Sequence, residues 1–157
     1  GILQMSIVAR VPIAVGRDDQ DLRLIDAQGN FVAPIEARVD RADLPLIAGD
    51  GAKDYIDEAM DLFAAAGPVR PRVRGLVRMG ERRWDLVLDR DQRIQLPENA
   101  PVQALERVIV MAQSQDLLER DVSVIDMRHE GRPTIRLNEQ AAHEMRRINA
   151  AVSGTGN

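Results

Sequence analysis

The sequence predicts an α+β domain in which a mostly antiparallel β-sheet carries two packed helices. Short stretches with apolar residues at alternate positions are typical of strands with one buried face. Two longer stretches, residues 52–66 and 101–112, repeat apolar residues at helical spacing. The 157 residues are 45% hydrophobic and 29% charged, which suits one globular domain with a substantial core.

The first third of the chain has the pattern of strands. Residues 6–15 are β-branched and apolar, and residues 22–33 predict a hairpin around a turn at 26–30. Gly29 supplies the left-handed backbone conformation that such a turn commonly needs. Residues 40–51 are rich in proline, glycine and aspartate and predict a loop.

The first helix is predicted to follow this loop. Asp50 is a candidate cap, and Gly67-Pro68 is the punctuation expected after a helix end. Several acidic side chains fall on the polar face of this helix, where the default expectation is a solvated surface: Asp54, Asp57, Glu58 and Asp61.

An antiparallel meander should come next, over residues 72–96. Its first strand places four residues on one face: Val73, Gly75, Val77 and Met79. Trp84, Leu86 and Leu88 alternate with Asp85 and Asp89 in the second strand, so one face of that strand should be dry. Ile94 and Leu96 alternate in the third strand.

The second helix is predicted to be capped near Asn99, with Pro101 in its first turn. A final hairpin should follow, with strands at 122–128 and 134–137 and a tight turn at 129–132. Asn138 is a candidate cap for a third amphipathic segment over residues 138–150.

Composition excludes several classes of function. The chain has no cysteine, so disulfides, thiolate catalysis and cysteine-ligated zinc are ruled out, and two histidines 14 residues apart do not predict a metal site. The net charge of −4 and an aromatic content of 3% argue against nucleic-acid binding, including by the arginines Arg78, Arg82 and Arg83. No cofactor is predicted, and no run of about 18 apolar residues predicts a membrane-spanning helix.

The sequence contains little that resembles an active site. No Gly-x-Ser-x-Gly elbow and no Gly-rich phosphate loop occurs. A pair of carboxylates acting in hydrolysis remains an alternative, since the separation that matters is spatial. The leading expectation is a protein without catalytic activity.

The last hairpin is the candidate partner site. No predicted strand follows residues 134–137, so their unpaired N–H and C=O groups can form a template for an added strand. Arg128, His129 and Arg132 flank the turn. Polar residues at an edge can equally serve to block unwanted pairing, and from the residues alone the two interpretations are balanced.

Four motifs in this order give the chain a recognisable resemblance. They are the segments LPLIAGDGA at 44–52, RWDLVL at 83–88, IQLP at 94–97 and VSVIDMR at 122–128. Together they resemble the FtsQ/DivIB family of bacterial cell-division proteins over about residues 6–137. Val11–Val15 resembles the strand that joins the two extracytoplasmic domains of that family.

The resemblance implies a non-enzymatic divisome scaffold that is held in the inner membrane by one upstream helix, with this domain in the periplasm. It implies FtsB and FtsL as partners, bound at the C-terminal edge of the β-domain. The contact region of the family maps onto Arg128, His129, Glu130 and Gly131, and less directly onto Arg82 or Arg83. The edge argument adds Arg132, Thr134, Ile135 and Arg136 to the candidate partner-binding residues.

The resemblance also implies a division of the chain. Residues 1–12 would be the end of a POTRA domain or its linking strand, 13–137 an FtsQ-type β-domain, and 138–157 an amphipathic segment with a frayed tail. Two alternatives stay open: a periplasmic β-domain of an outer-membrane assembly or secretion protein, and a small carboxylate-dependent hydrolase.

Overall fold

The computed structural model describes residues 10–18, 21–129 and 132–137. Two α-helices are present in this part of the chain, α1 (Ile56–Ala65) and α2 (Pro101–Gln115). The strands are β1 (Pro12–Asp18), β2 (Asp21–Asp26), β3 (Phe31–Ile35), β4 (Leu46–Ala48), β5 (Val73–Met79), β6 (Arg83–Leu88), β7 (Arg93–Gln95), β8 (Val122–Asp126) and β9 (Thr134–Leu137). Short 3-10 helices cover Arg38–Arg41, Ala52–Tyr55, Gly67–Arg72 and Leu117–Glu119.

The nine strands of the described residues belong to one sheet in the order β3-β2-β1-β4-β5-β6-β7-β8-β9. Five neighbouring pairs are antiparallel and three are parallel, namely β1 with β4, β4 with β5 and β7 with β8. The predicted α+β fold with a mostly antiparallel sheet and two packed helices is confirmed.

Both helices cover one face of the sheet, here called the inner face. The strand register aligns a row of apolar side chains across this face: Ile47, Leu76, Leu86, Ile94, Ile125 and Ile135. All of these except Ile135 at the edge are at most 1% exposed. Trp84 and Leu88 join the same core at 0% and 1%, so the predicted dry face of the second meander strand is confirmed.

The segment predicted as a loop at 40–51 contains a strand. β4 has only three residues, but it has a parallel neighbour on each side. A three-residue strand bounded by Pro45 and Gly49 has no detectable periodicity of its own. It forms because β1 and β5 supply its pairing partners, and Val15 N–H also donates to the Pro45 carbonyl at 2.8 Å.

The helix starts differ from the predicted caps. A 3-10 helix precedes α1, and Gly51 at its start has φ +75° in the left-handed region, so Asp50 is not a side-chain cap. The residue before α2 is Ala100, not Asn99, and no side chain accepts a capping hydrogen bond there either. Helix α1 ends before Gly67-Pro68, as predicted.

Strand β5 also departs from its predicted pattern. The residues of its predicted apolar face include Gly75 and Val77, which lie on the outer face of the sheet, whereas Leu76 and Arg78 face the helices. A bulge between Val73 and Gly75 shifts the register at the start of the strand. Gly75 packs against the β4 backbone, since a Cβ there would meet the Leu46 carbonyl oxygen at 2.7 Å.

Arg78 is buried because the helix α1 provides a partner. Its guanidinium lies 3.1 Å from Glu58 and stacks 3.9 Å from the centre of the Tyr55 ring. The Trp84 Nε1–H donates to the same Glu58 carboxylate at 2.8 Å. Glu58, predicted to belong to a solvated face, therefore ties α1 to the sheet.

Candidate partner-binding edge

Strand β9 forms one end of the sheet. Within the described part of the chain it pairs only with β8, in the antiparallel register Ile125 to Ile135. Thr134, Ile135 and Arg136 are exposed, and Leu137 packs partly against the core. The Ser123 hydroxyl donates to the Arg136 carbonyl at 3.0 Å and helps to hold β9 in place.

The opposite end of the sheet is less suited to strand addition. It is formed by β3, which carries an exposed proline, Pro34, opposite Arg23. Proline has no N–H to donate and is tolerated in sheets mainly on edge strands, where it limits further pairing. Strand β9 contains no proline, so of the two ends it offers the more complete row of backbone groups.

Arg128 is held in a fixed orientation beside this edge. Its Nε and Nη2 donate to the two carboxylate oxygens of Asp126 at 2.9 and 2.7 Å, and its backbone N–H donates to Asp126 at 2.9 Å. These hydrogen bonds lower the pKa of Asp126 and raise the pKa of Arg128. A guanidinium has five N–H donors, so the two on Nη1 remain for another acceptor.

Asp85 is buried on the outer face of the sheet, at 2% exposed. Its Oδ2 lies 3.2 Å from Arg93 Nη1, and Oδ1 has no hydrogen-bond partner within the described structure. Burial raises the pKa of Asp85, and the nearby positive charges of Arg93, Arg83 and Arg128 oppose that shift. The alternation of residues in β6 predicted that Asp85 and Trp84 lie on opposite faces of the sheet, as found. It did not predict that the outer face is also shielded from solvent at Asp85.

The strand register explains why Arg83 and Arg128 both act on Asp85. Asp85 is aligned with Gln95, and Gln95 with Asp126. Arg83 lies two residues from Asp85, and Arg128 lies two residues from Asp126. Asp85 and Asp126 are separated by two strand spacings, or about 10 Å. Two of the predicted contact residues, distant in sequence, thus lie close enough to act on the same buried carboxylate, with Arg128 nearer to the β9 edge.

The remaining predicted residues are distributed around this pair. Arg82 is exposed in the turn before β6. His129 and Arg132 are exposed beyond β8, and the Arg132 N–H donates to the His129 carbonyl at 3.3 Å. Glu130 and Gly131, and the predicted third segment from Asn138, lie outside the described residues.

Sequence reasoning missed three residues of this face: Asp85, Arg93 and Gln95. Their only local signal is polarity at alternate positions, which is ordinary for a solvated strand face. Their proximity depends on the order of β6, β7 and β8 in the sheet, which includes a parallel crossover through α2. That order is not encoded within any one segment.

A cavity elsewhere on the surface bears on the hydrolase alternative. A pocket of about 410 Å³ near the start of the Ala52–Tyr55 helix is lined by two carboxylates, Asp18 and Asp50, beside Arg17 and Lys53. Both carboxylates are exposed. Carboxylates that act as general acids are usually desolvated, which raises their pKa, so this arrangement does not favour acid–base catalysis.

The fold and the comparisons identify the class of domain. In the part of the chain that the structure describes, a nine-stranded mixed sheet with two helices on one face forms an α+β domain. The family model described as "Cell division protein FtsQ/DivIB, C-terminal" matches residues 14–128. The chain belongs to the FtsQ/DivIB family of cell-division proteins, which is not known for enzymatic activity.

Curated relatives agree with the family model. The chain is 50% identical over 143 residues to "Cell division protein FtsQ" of Roseobacter litoralis, covering 91% of this chain and 49% of that protein. It is 51% identical over 156 residues to the protein of that name from Ketogulonicigenium vulgare, covering 99% and 52%. The chain therefore spans about half the length of these relatives. No helix in the described ranges is long and apolar enough to cross a lipid bilayer.

Proposed function

We propose that this chain is the periplasmic β-domain of a divisome scaffold and that it binds the FtsB–FtsL complex by adding a partner strand to β9. The parent protein would be anchored in the inner membrane by one upstream helix. The observation that carries the proposal is the β9 edge, which has exposed residues, no proline and an oriented arginine beside it. Membership of the FtsQ/DivIB family supports it.

The chemistry of the edge defines what the partner should contain. Backbone groups of β9 would provide most of the affinity through main-chain hydrogen bonds, whatever the partner's sequence. Arg128 and Arg83 would provide specificity for carboxylates on the partner. Because Asp126 already neutralises much of the charge of Arg128, this arginine would act as a directed hydrogen-bond donor rather than as a free positive charge.

The edge can be tested with two proline variants. Successive N–H groups of a strand point alternately to its two sides. Ile135→Pro and Arg136→Pro therefore remove N–H groups that point to opposite sides of β9. One of these N–H groups points towards β8, and the other points to the open side of the sheet. The variant that affects the open side should fold normally and bind an FtsB extracytoplasmic peptide at least tenfold more weakly in calorimetry. The other should lower the melting temperature.

The arginine can be tested separately from the backbone. Arg128→Lys keeps the charge but loses the planar donor pattern, so we expect weaker binding by about 1–2 kcal/mol. Asp126→Ala should weaken binding as well, because it releases the guanidinium from its fixed position. Arg107→Glu, on the exposed side of α2, is the control and should bind normally. Full binding by a folded double variant, with Arg128→Glu and the open-side proline, would refute the proposal.

A fusion experiment tests the location. A reporter that is active only in the periplasm is fused to the full-length parent directly after the residue numbered Leu137 in this chain. We expect this reporter to be active. Activity of a cytoplasm-only reporter at that point would overturn the proposed topology.

A further inference from the structure

A groove crosses the outer face of the sheet, away from the β9 edge. It has a volume of about 660 Å³ and an apolar floor that includes Ala48, Val77 and Val87. Five arginines from five different elements line it: Arg17, Arg38, Arg70, Arg74 and Arg93. No aspartate or glutamate of the described chain is among the lining residues.

This concentration of positive charge contrasts with the rest of the molecule. The whole chain carries 25 acidic and 21 basic side chains, so the groove is a local reversal of the overall sign. Arg17, Arg70 and Arg74 are exposed, and within the described ranges none has a carboxylate at ion-pair distance. Among the described residues, these three guanidinium groups therefore have no carboxylate partner that would compete with an anionic ligand.

The other two arginines form fixed ends of the groove. Arg38 donates to the carbonyls of Arg41 and Leu44, which holds its side chain across the start of β4. Burial lowers the pKa of Arg38, the negative charge of Asp43 opposes that shift, and the like charge of Arg17 adds to it. Arg93 is held at the other end by its ion pair with Asp85.

We propose that this groove binds an extended acidic peptide segment of a protein partner, in which carboxylates alternate with apolar residues. Arginine pairs well with carboxylates because its planar donors match the two oxygens. The apolar floor would bury the intervening side chains. The inference is independent of strand addition at β9.

The shape and composition of the groove favour a peptide over other polyanions. A flat bilayer surface cannot enter a concave groove. None of the aromatic residues lines the groove, so nucleic-acid bases would find no stacking surface.

The dimensions set the length of the segment. The groove extends from β1 through β4, β5 and β6 to β7, which is four strand spacings. At about 4.8 Å each this is roughly 19 Å, the length of about six extended residues.

The test uses a synthetic eight-residue peptide of alternating glutamate and leucine, titrated into the chain by calorimetry. Arg17→Glu/Arg74→Glu should weaken binding at least tenfold. Arg107→Glu/Arg120→Glu, with the same change in charge at exposed sites outside the groove, should stay within about twofold. Raising the salt from 50 to 300 mM should weaken wild-type binding several-fold. Circular dichroism should show both double variants folded.

Other outcomes would overturn the proposal. The proposal would be overturned if both double variants lost the same affinity for the glutamate–leucine peptide. It would also be overturned if the matching lysine–leucine peptide bound equally well, or if wild type showed no saturable binding. Tighter, groove-dependent binding to phosphatidylglycerol vesicles or to a single-stranded oligonucleotide would replace the peptide with another ligand. Loss of peptide binding in the full-length parent would mean that the rest of the parent protein covers the groove. Arg128→Glu should leave peptide binding unchanged, so failure at β9 and failure at the groove are distinguishable.

Discussion

At the scale of single residues, the polar side chains buried in this domain are the ones that specify its packing. Trp84 is fully buried, and its indole N–H reaches Glu58 at 2.8 Å. Arg78 lies against the same carboxylate and 5.1 Å from the Trp84 ring. One glutamate on α1 therefore satisfies two donors that would otherwise be unpaired beneath the helix.

Trp84→Ala should lower the free energy of unfolding by about 3–5 kcal/mol, since it removes a large buried ring and leaves a cavity. Trp84→Phe is the matched control: it keeps most of the volume and loses the hydrogen bond to Glu58, at a cost of about 1–2 kcal/mol. Urea unfolding followed by circular dichroism measures both. An unchanged unfolding midpoint for Trp84→Ala would contradict the buried position.

Asp85→Asn should make the domain more stable at pH 7. Burial raises the pKa of Asp85 above its unfolded value, so the folded state favours the protonated form. The stability that this form contributes is complete below the usual aspartate pKa of about 4 and is lost as the pH rises through the folded pKa. Asparagine mimics the protonated form at every pH. The advantage of the variant should therefore shrink as the pH falls and vanish below about pH 4.

Asp126→Asn is the control, because the pKa of Asp126 is shifted in the opposite direction to that of Asp85. Its hydrogen bonds from Arg128 lower the pKa of Asp126, so the stabilisation is present above the unfolded pKa and is lost as the pH falls through the folded pKa. This variant should be less stable than wild type at pH 7. Denaturation at pH 7, 5.5 and 4 separates the two, and a destabilised Asp85→Asn at pH 7 would show that its pair with Arg93 outweighs the burial penalty.

At the scale of elements, the segment between α2 and β8 is joined to the meander by Arg72 and Gln92. Arg72 Nε donates to Asp89 at 2.9 Å, Nη1 to the Leu118 carbonyl at 2.9 Å and Nη2 to the Gln92 side chain at 2.6 Å. Gln92 is itself 3% exposed and donates to the carbonyls of Leu118 and Arg120. The segment that leads from α2 into β8 is thereby fixed against β5 and the turn between β6 and β7.

Arg72→Ala should destabilise the domain by about 2–4 kcal/mol, because the buried Gln92 Oε1 loses its donor and Asp89 loses its ion-pair partner. Arg72→Lys should recover little of this, since one ammonium group cannot reach three acceptors in a planar arrangement. Arg70→Ala, an exposed arginine in the same 3-10 helix, should change stability by less than about 0.5 kcal/mol. Equal effects of the alanine variants at 70 and 72 would show that the network does not stabilise the domain.

Elements with strong local patterns were predictable from the sequence, and those that depend on distant partners were not. The hairpin around Gly29, the meander and both helices follow from alternation or helical spacing, with turn residues between them. Strand β4 was missed because its three residues are organised by β1 and β5. The helix caps were wrong because local backbone geometry at Gly51 and Ala100, rather than a side-chain hydrogen bond, begins each segment.

The same distinction applies to the candidate sites. Arg128 and β9 were identifiable because they are close in sequence and lie at the end of the strand pattern. The groove arginines come from five separate elements, and Asp85 is enclosed by neighbours from other strands. Their assembly requires the full strand order, which the sequence of any one segment does not contain.

At the scale of the whole molecule, the two faces of the sheet have different roles. The inner face, with its continuous apolar row, holds the two helices and provides the core. The outer face carries the arginine groove and the charged residues next to β9. The side chains on the inner face become more exposed to solvent towards the β9 edge. Ile135 is 39% exposed, whereas its aligned neighbour Ile125 is 1% exposed. The strand that we propose to bind the partner is therefore also the least covered part of that row.

This gradient predicts a gradient of hydrogen exchange across the sheet. Amides of β5, β6 and β7 have paired strands on both sides and a buried inner face, so their exchange should require nearly global unfolding. Amides of β3 and β9 should exchange at least a hundredfold faster through local opening. Mass-spectrometric exchange on peptides from these strands measures the difference. Adding the FtsB peptide should slow exchange in β9 and leave β3 unchanged. Protection of β9 equal to that of β6 without any partner would mean that the edge is already covered, which would contradict its proposed role.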